Sequence, residues 1–577
     1  MGVKSLPVLL VAMLLMAGLQ CSKQPEIPGY ENLEGYWEGE FMPGNNLTLV
    51  LDFHRQITGT GYGRLLLYEG EQQIQDDPLR NISLNGKQLS FYLEARQTPF
   101  KGEINTNSLE IRGKFYFPDG SVHPLIVKKV ISPTYSPTYD KYVGNMNDEK
   151  ILRRTFSKKQ LDEDLKYAKE RIEQYHPRLY QYQSKEQWNH RFDEAASMFV
   201  SGMTEDAFFH ELAPLVAGIR CGHTAIRASE IFYEALNEQY SLIPLDIFVH
   251  GNKAWVIHNF GGQSQITPGT QIMAINGKSI TEILRILYAS LPADGNNTTF
   301  KKYQITTNFA RVYSQYVGYS KSYVVDGLSA EGLEVRAELP AMADWQLEEA
   351  INSVYPERAS YVAHPYRFEM QPANRTAMLT IKGFWAQSDA AYAIFLDGVF
   401  RTLKQQNIKN LIIDIRGNTG GLPFFAAELL SYIAKDEFTY FRLPTQRAQD
   451  DPLFKPWKPN PNSFNGDIYV LIDGGCVSTA GHFLSLIRFH QLATLIGEEA
   501  GGSFSCNDNS IQLRLPNTGI RLNIPRTVFQ TAVSGFSNGE PVIPDHIVRP
   551  TIDDLIYGMD VEKLYAMNLI KNKLLSD

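Results

Sequence analysis

The sequence predicts a multidomain chain that is all-β first, helical next, then a small β-module, and that ends in an α/β layered sheet. Three observations predict it. Leu47, Leu49, Leu51 and Phe53 alternate with polar neighbours, the period of a strand with one face buried. Leu161, Leu165, Ala168 and Ile172 recur at the spacing of a helix face. From residue 377 onward, short apolar runs alternate with helical stretches, the pattern of a sheet covered by helices.

The 577 residues are 43% hydrophobic and 20% charged, the balance of a globular chain with several domains. A formal charge of −8 gives no reason to expect nucleic-acid binding, which would want a basic face. No run after the N-terminus is long and apolar enough to span a bilayer. Residues 1–20, with Lys4 followed by the apolar run Leu6 to Leu19, read as a secretory signal peptide, so the protein is expected to be exported. Cys21 and the polar tract Ser22 to Glu26 resemble a bacterial lipoprotein signal, although Gln20 stands where a small residue is usual. That resemblance implies lipidation of Cys21 and a lipid anchor as the only membrane contact.

Residues 33–131 read as an all-β domain. Asn85-Gly86 is a hairpin turn, Pro118-Asp119-Gly120 is another, and Gly35-Tyr-Trp-Glu-Gly-Glu-Phe41 is similar to the opening of small lipocalin-like barrels. Trp37 on such a strand reads as core, so a packed sheet is favoured over a ligand module. Residues 131–141, with Pro133 and Pro137, read as a linker. A helical region over 142–230 has Ser157 and Thr204 as N-cap candidates and leads into Gly218-Ile-Arg-Cys-Gly-His223-Thr-Ala. Residues 242–291 give strand, turn, strand and then Pro268 to Ile280, which resembles the end of a PDZ domain with its Ile-Asn-Gly277 hairpin. PDZ domains take a peptide C-terminus as an added strand. Residues 295–345 give no clear pattern, and the α/β region covers 366–577.

Chemistry concentrates in two stretches of that last region. Ile468 to Ile472 is a short buried strand, Asp473-Gly474-Gly475 breaks it, and Phe483, Leu484, Leu486 and Ile487 restore a helical spacing from Ser478 onward. Ser478 therefore stands where a strand ends and a helix begins, a place that suits either a plain N-cap or a nucleophile. Leu411 to Gly421 is a second strand, running into the glycine-rich turn Asp414-Ile-Arg416-Gly-Asn418-Thr-Gly420-Gly421.

Together these stretches resemble the tail-specific (C-terminal processing) serine peptidases, which carry an Asp-x-Arg-x-Asn-x-Gly-Gly turn and, some sixty residues on, a nucleophilic serine opening a helix. The resemblance covers roughly residues 150–577 and implies a crotonase-like fold for 366–577, with Ser478 as nucleophile. It also implies oxyanion-holding N–H groups from Thr479 and from Gly420 or Gly421. Many members use a lysine base about twenty-five residues after the serine; Ser503 occupies that place, and no lysine lies between Lys458 and Lys563. Gly-His223-Thr resembles the tricorn-like branch, in which that histidine is the general base, with His482 the next candidate. Glu540 lies near the place where that branch supplies a glutamate, and counting back from Pro544-Asp545 puts Asn538 in register.

Cys221, Cys476 and Cys506 each lie within three residues of a proposed site position and allow at most one internal disulfide. A Cys476 nucleophile is the alternative to Ser478. No Cys-x-x-Cys or His-x-x-x-His spacing points to a metal, and no cofactor is expected. The expected function is hydrolysis of peptides or unstructured C-termini. The alternatives are an inactive peptide-binding relative and an esterase on the same scaffold.

Overall fold

A computed structural model describes residues 29–576 except 44–45, 56–60, 71, 94–97, 118–121, 132, 135–147, 263, 364, 372–374, 387 and 443–450. The signal segment 1–20, Cys21, the 118–120 turn and most of the 131–141 linker lie outside the described residues.

The N-terminal domain is a closed antiparallel barrel in which each strand pairs with the next and the last with the first. Its eight strands are β1 (Gly35–Glu40), β2 (Leu47–Arg55), β3 (Gly61–Glu69), β4 (Gln72–Asn85), β5 (Gln88–Leu93), β6 (Thr98–Asn105), β7 (Glu110–Tyr116) and β8 (Val122–Val130). Closure removes the unpaired edges that an open sheet would expose. The alternation at Leu49, Leu51 and Phe53 faces the interior, which is filled by side chains including Trp37, Phe91, Phe100 and Phe115. Phe91 stacks on Phe100 at 4.5 Å, so this is packed core. On the outer face, Val50, Leu66 and Tyr68 are buried too, against Ile231.

After a short helical turn at Asp148–Leu152, the helical region's first long helix is α1 (Lys158–Tyr175), where Ser157 accepts from the Gln160 N–H in a capping box. Next come α2 (Lys185–Met198) and α3 (Glu205–Ala217). Thr204 precedes α3 but makes no cap bond, because its hydroxyl goes to Asp206 instead. After His223 the chain forms β9 (Ala225–Arg227) and α4 (Glu230–Gln239).

The small module has β10 (Leu245–His250), β11 (Lys253–Asn259), β12 (Gln271–Ile275) and α5 (Ile280–Ser290). Asn276 and Gly277, with φ of 49° and 77°, make the two-residue turn read from the sequence. The sheet does not end at Leu291. α6 (Thr299–Tyr316) packs into the same core, and β13 (Ser322–Leu328) and β14 (Glu334–Pro340) complete the order β10-β11-β12-β13-β14.

The C-terminal sheet has the order β15 (Tyr366–Gln371), β16 (Thr376–Ile381), β17 (Asn410–Asp414), β18 (Asp467–Ile472), β19 (Thr494–Gly497) and, last in the chain, 546–547. Only the first pair is antiparallel. Helices α7 (Asp389–Gln405), α8 (Pro423–Ser431) and α9 (Thr479–His490) pack on it. Between β19 and 546–547 the chain leaves the sheet as β20 (Ser505–Asp508), β21 (Ile511–Arg514), β22 (Arg521–Ile524) and β23 (Thr527–Gln530). β22 pairs with β9, so the helical region and the C-terminal region share a three-stranded sheet. The chain closes with α10 (Val561–Ser576). No helix among the described residues is long and apolar enough to cross a membrane.

Candidate active site

The turn after β17 is built by its own polar residues. Asp414 is buried, which opposes its ionisation, but the charges of Lys382 and Arg416 hold its carboxyl well below the usual range. Arg416 continues to Asp560 at 2.7 Å and Glu562 at 3.2 Å, tying the turn to the start of α10. Asn418 donates to the Ile381 carbonyl at 2.9 Å and accepts from the Gly420 N–H at 2.9 Å. Gly420 has a φ of 101°. A Cβ there would stand 2.9 Å from the Ser478 Cβ and 3.0 Å from the Thr479 nitrogen, so only glycine allows the two turns to touch.

The second turn follows β18. Asp473 accepts from Gly417 at 2.8 Å and Gly475 at 2.9 Å, locking one turn to the other. Ser478 then adopts φ 54° and ψ −125°, outside the regions open to a relaxed L-residue, and is 5% exposed. It holds the N-cap position of α9, yet its side chain makes no cap bond. The hydroxyl meets the Cys506 thiol instead. A residue kept for capping would be relaxed and would bond the N2 or N3 amide. The Thr479 hydroxyl donates to the Gly421 carbonyl at 2.6 Å and holds the turns together on the other side. Among the described residues, the Gly421 and Thr479 N–H groups have no acceptor, whereas the Gly420 N–H is spent on Asn418. Of the expected oxyanion donors, Gly420 is thus corrected and Gly421 and Thr479 stand free.

His223 arrives from the far side. Its loop is pinned by the Gly222 N–H donating to Asp294 at 2.7 Å and by Asn523 donating to the His223 carbonyl at 2.6 Å. The ring is buried, with Nδ1 unpartnered and Nε2 3.8 Å from Asp508 Oδ2. His223, Thr419, Val477 and Gly501 line one cavity of about 290 Å³. Cys506 feels the charges of both Asp508 and Asp294 while it touches Ser478, so serine, histidine and the two aspartates share a neighbourhood. No hydrogen bond joins Ser478 to His223 in this structure; Cys506 is the hydroxyl's neighbour.

Glu540 does not reach His223. It is exposed, and its carboxylate turns back to the Ser537 N–H at 3.3 Å, because the loop reverses through Gly535 and Gly539 with φ of 81° and 76°. Asn538 accepts from Arg178 at 3.5 Å. His482 is fully enclosed beside Phe441, and burial, helped by the charge of His223, pushes it down to about 3, so it stays neutral in the core. Ser503 is buried against Gly481 of α9. Cys476 donates to the Ile415 carbonyl at 3.1 Å, and burial, then the Asp473 carboxylate, pushes its thiol well up, the opposite of an activated nucleophile. All three described cysteines are free thiols. Among the described residues no cluster of His, Cys, Asp and Glu is suited to a metal.

Residues 375–548 match the family described as Peptidase family S41. The chain carries a peptidase family S41 domain. That domain marks it as a serine-type peptidase. The S41 match contains the 411–421 turn and Ser478, while His223 lies outside it. Among solved structures, mature CPAF aligns over 72% of this chain and 97% of its own, at 13% identity and a TM-score of 0.53. CPAF complexed with lactacystin aligns over 72% and 98%, at 14% identity and 0.53. A photosystem II D1 C-terminal processing protease aligns over 70% and 98%, at 11% identity and 0.37. The CPAF likeness is one of fold. Among curated proteins nothing matches the chain. Asp294 and Asp508 escaped the sequence reading, since neither sits in a motif and only the fold brings them to the histidine.

Proposed function

We propose that the chain is an exported serine peptidase that hydrolyses peptides or unstructured protein C-termini through an acyl-enzyme on Ser478, and that Cys21 anchors it to the cell envelope. Ser478 Oγ attacks the scissile carbonyl carbon and His223 takes its proton. The tetrahedral oxyanion accepts hydrogen bonds from the Gly421 and Thr479 N–H groups, a term worth ~10²–10³ in kcat per donor. Collapse expels the amine, which takes the proton from His223, and water then cleaves the ester with the same base. Asp508 orients the imidazole in place of Glu540, on the strength of its 3.8 Å approach. The β10–β14 module is assigned the role of a PDZ-like dock for the substrate's carboxylate.

The observation that carries this reading is the strained, non-capping backbone of Ser478 beside two unpaired N–H groups. Labelling with a fluorophosphonate should modify Ser478, and Ser478→Ala should lose turnover with its fold intact. Turnover persisting in that variant would sink the assignment. The inactive, peptide-binding reading has the missing Ser478–His223 hydrogen bond on its side, and unlabelled Ser478 in the intact protein would favour it.

A further inference from the structure

The barrel is fixed to the enzyme rather than tethered. Arg64 on the outside of β3 ion-pairs with Glu230 of α4, which also lies 3.1 Å from Arg514 of β21; the arginines are 4% exposed and the glutamate 9%. β4 lies on β21 beside them. This docking brings Asp77 of β4 into the wall of the cavity that also contains His223, Thr419 and Val477. The cavity follows β9, since His223, Ala225, Ile226 and Arg227 all line it. That span is about 13 Å of extended chain, the length of about four residues. β9 is an edge strand of its sheet, the kind of strand to which an extended peptide adds. The wall also holds aromatic rings, Phe232 and Tyr233 from α4 and Phe300, Tyr303 and Tyr316 from α6. The volume of about 290 Å³ is at the lower end of ligand-binding clefts.

We propose that this cavity holds an extended, apolar or aromatic stretch of substrate along β9, and that the barrel, through β4 and Asp77, is part of the specificity wall. The inference rests on the Ser478 reading. A packed barrel interior leaves its outer face as the functional one, and the buried Arg64–Glu230–Arg514 cluster keeps that face in register with the site.

The test uses full-length Ser478→Ala, which keeps a peptide uncut, and an apolar peptide with benzoylphenylalanine about four residues from the scissile bond. Irradiation should crosslink it to residues 72–85. Crosslinks confined to residues 245–340, or absent, would overturn the proposal. Thr307→Trp, which fills the cavity from α6, should raise KM for aromatic peptides about tenfold or more while fluorophosphonate labelling of Ser478 keeps its rate. A KM change below twofold in a variant that melts like the wild type would equally overturn it. If the wild type is not labelled at Ser478, the catalytic reading has failed instead, and the crosslink still reports on the cavity.

Discussion

At Ser478 the chain holds a backbone that costs on the order of 1–3 kcal/mol for any residue with a Cβ. Glycine has no such cost, so Ser478→Gly is expected to raise the melting temperature while abolishing turnover, a combination calorimetry and a peptide assay check together. Asp508→Asn should lower kcat by at least about tenfold, with Glu540→Gln within twofold of wild type, because Asp508 lies 3.8 Å from the imidazole while Glu540 turns back to Ser537. The reverse ranking would restore Glu540. Ser478 and His223 could be singled out as candidates because each stands out locally, one by a strand broken into a helix and the other by a histidine after glycine at the end of a helix. Asp508 was not, since an aspartate in Cys-Asn-Asp-Asn-Ser looks like any turn residue until β20 is placed. Glu540 was picked by its nearness in sequence, whereas the count from Pro544-Asp545 gave Asn538, and the turns at Gly535 and Gly539 send the Glu540 carboxylate to Ser537.

Single elements carry the next level. Gly420→Ala forces a Cβ to 2.9 Å from Ser478 in a left-handed backbone, and is expected to cost more than about 1 kcal/mol of stability and most of kcat. At the start of α3, Glu205 accepts from the Ser229 N–H and hydroxyl, which caps α4. Burial, against those hydrogen bonds, raises its carboxyl to about 7. A raised folded pKa means stability that is complete below the unfolded value and is lost as pH climbs through about 7. Glu428, raised to about 7 by burial and Asp389, adds to that slope, and His176 and His482, lowered to about 4 and about 3 by burial, act in the opposite sense. The clean readout is therefore a difference: relative to wild type, Glu205→Gln should gain stability between pH 5 and pH 8, by on the order of 2–3 kcal/mol. Element types in the S41 region were readable because β17, β18 and β19 are short, largely apolar runs that alternate with helical stretches. Residues 295–345 resisted because β13 and β14 take their meaning from β12, which lies across α6, and β14 shows alternation only over Val335, Ala337 and Leu339.

Across the whole molecule, the barrel and the enzyme share one buried charge cluster. Glu230→Gln withdraws the carboxylate from two buried guanidiniums and is expected to destabilise the protein by up to about 3–5 kcal/mol, read as a lower or split unfolding transition. A single unshifted transition would mean that the Arg64–Glu230–Arg514 cluster does not hold barrel and enzyme together. An all-β N-terminal domain and an α/β C-terminal region were legible in the sequence, but their mutual docking was not, because Val50, Leu66 and Tyr68 read as ordinary strand residues until Ile231 covers them. The pairing of β9 with β22 carries one more consequence. The Asn523 side chain that grips the His223 carbonyl lies 300 residues further along the chain. Contacts so distant form late, after local structure has condensed. During synthesis the chain would expose its histidine well before the strand that seats it arrives. The hydrolase is thereby expected to be born dormant, switching on only once residues 521–524 have emerged and closed the sheet.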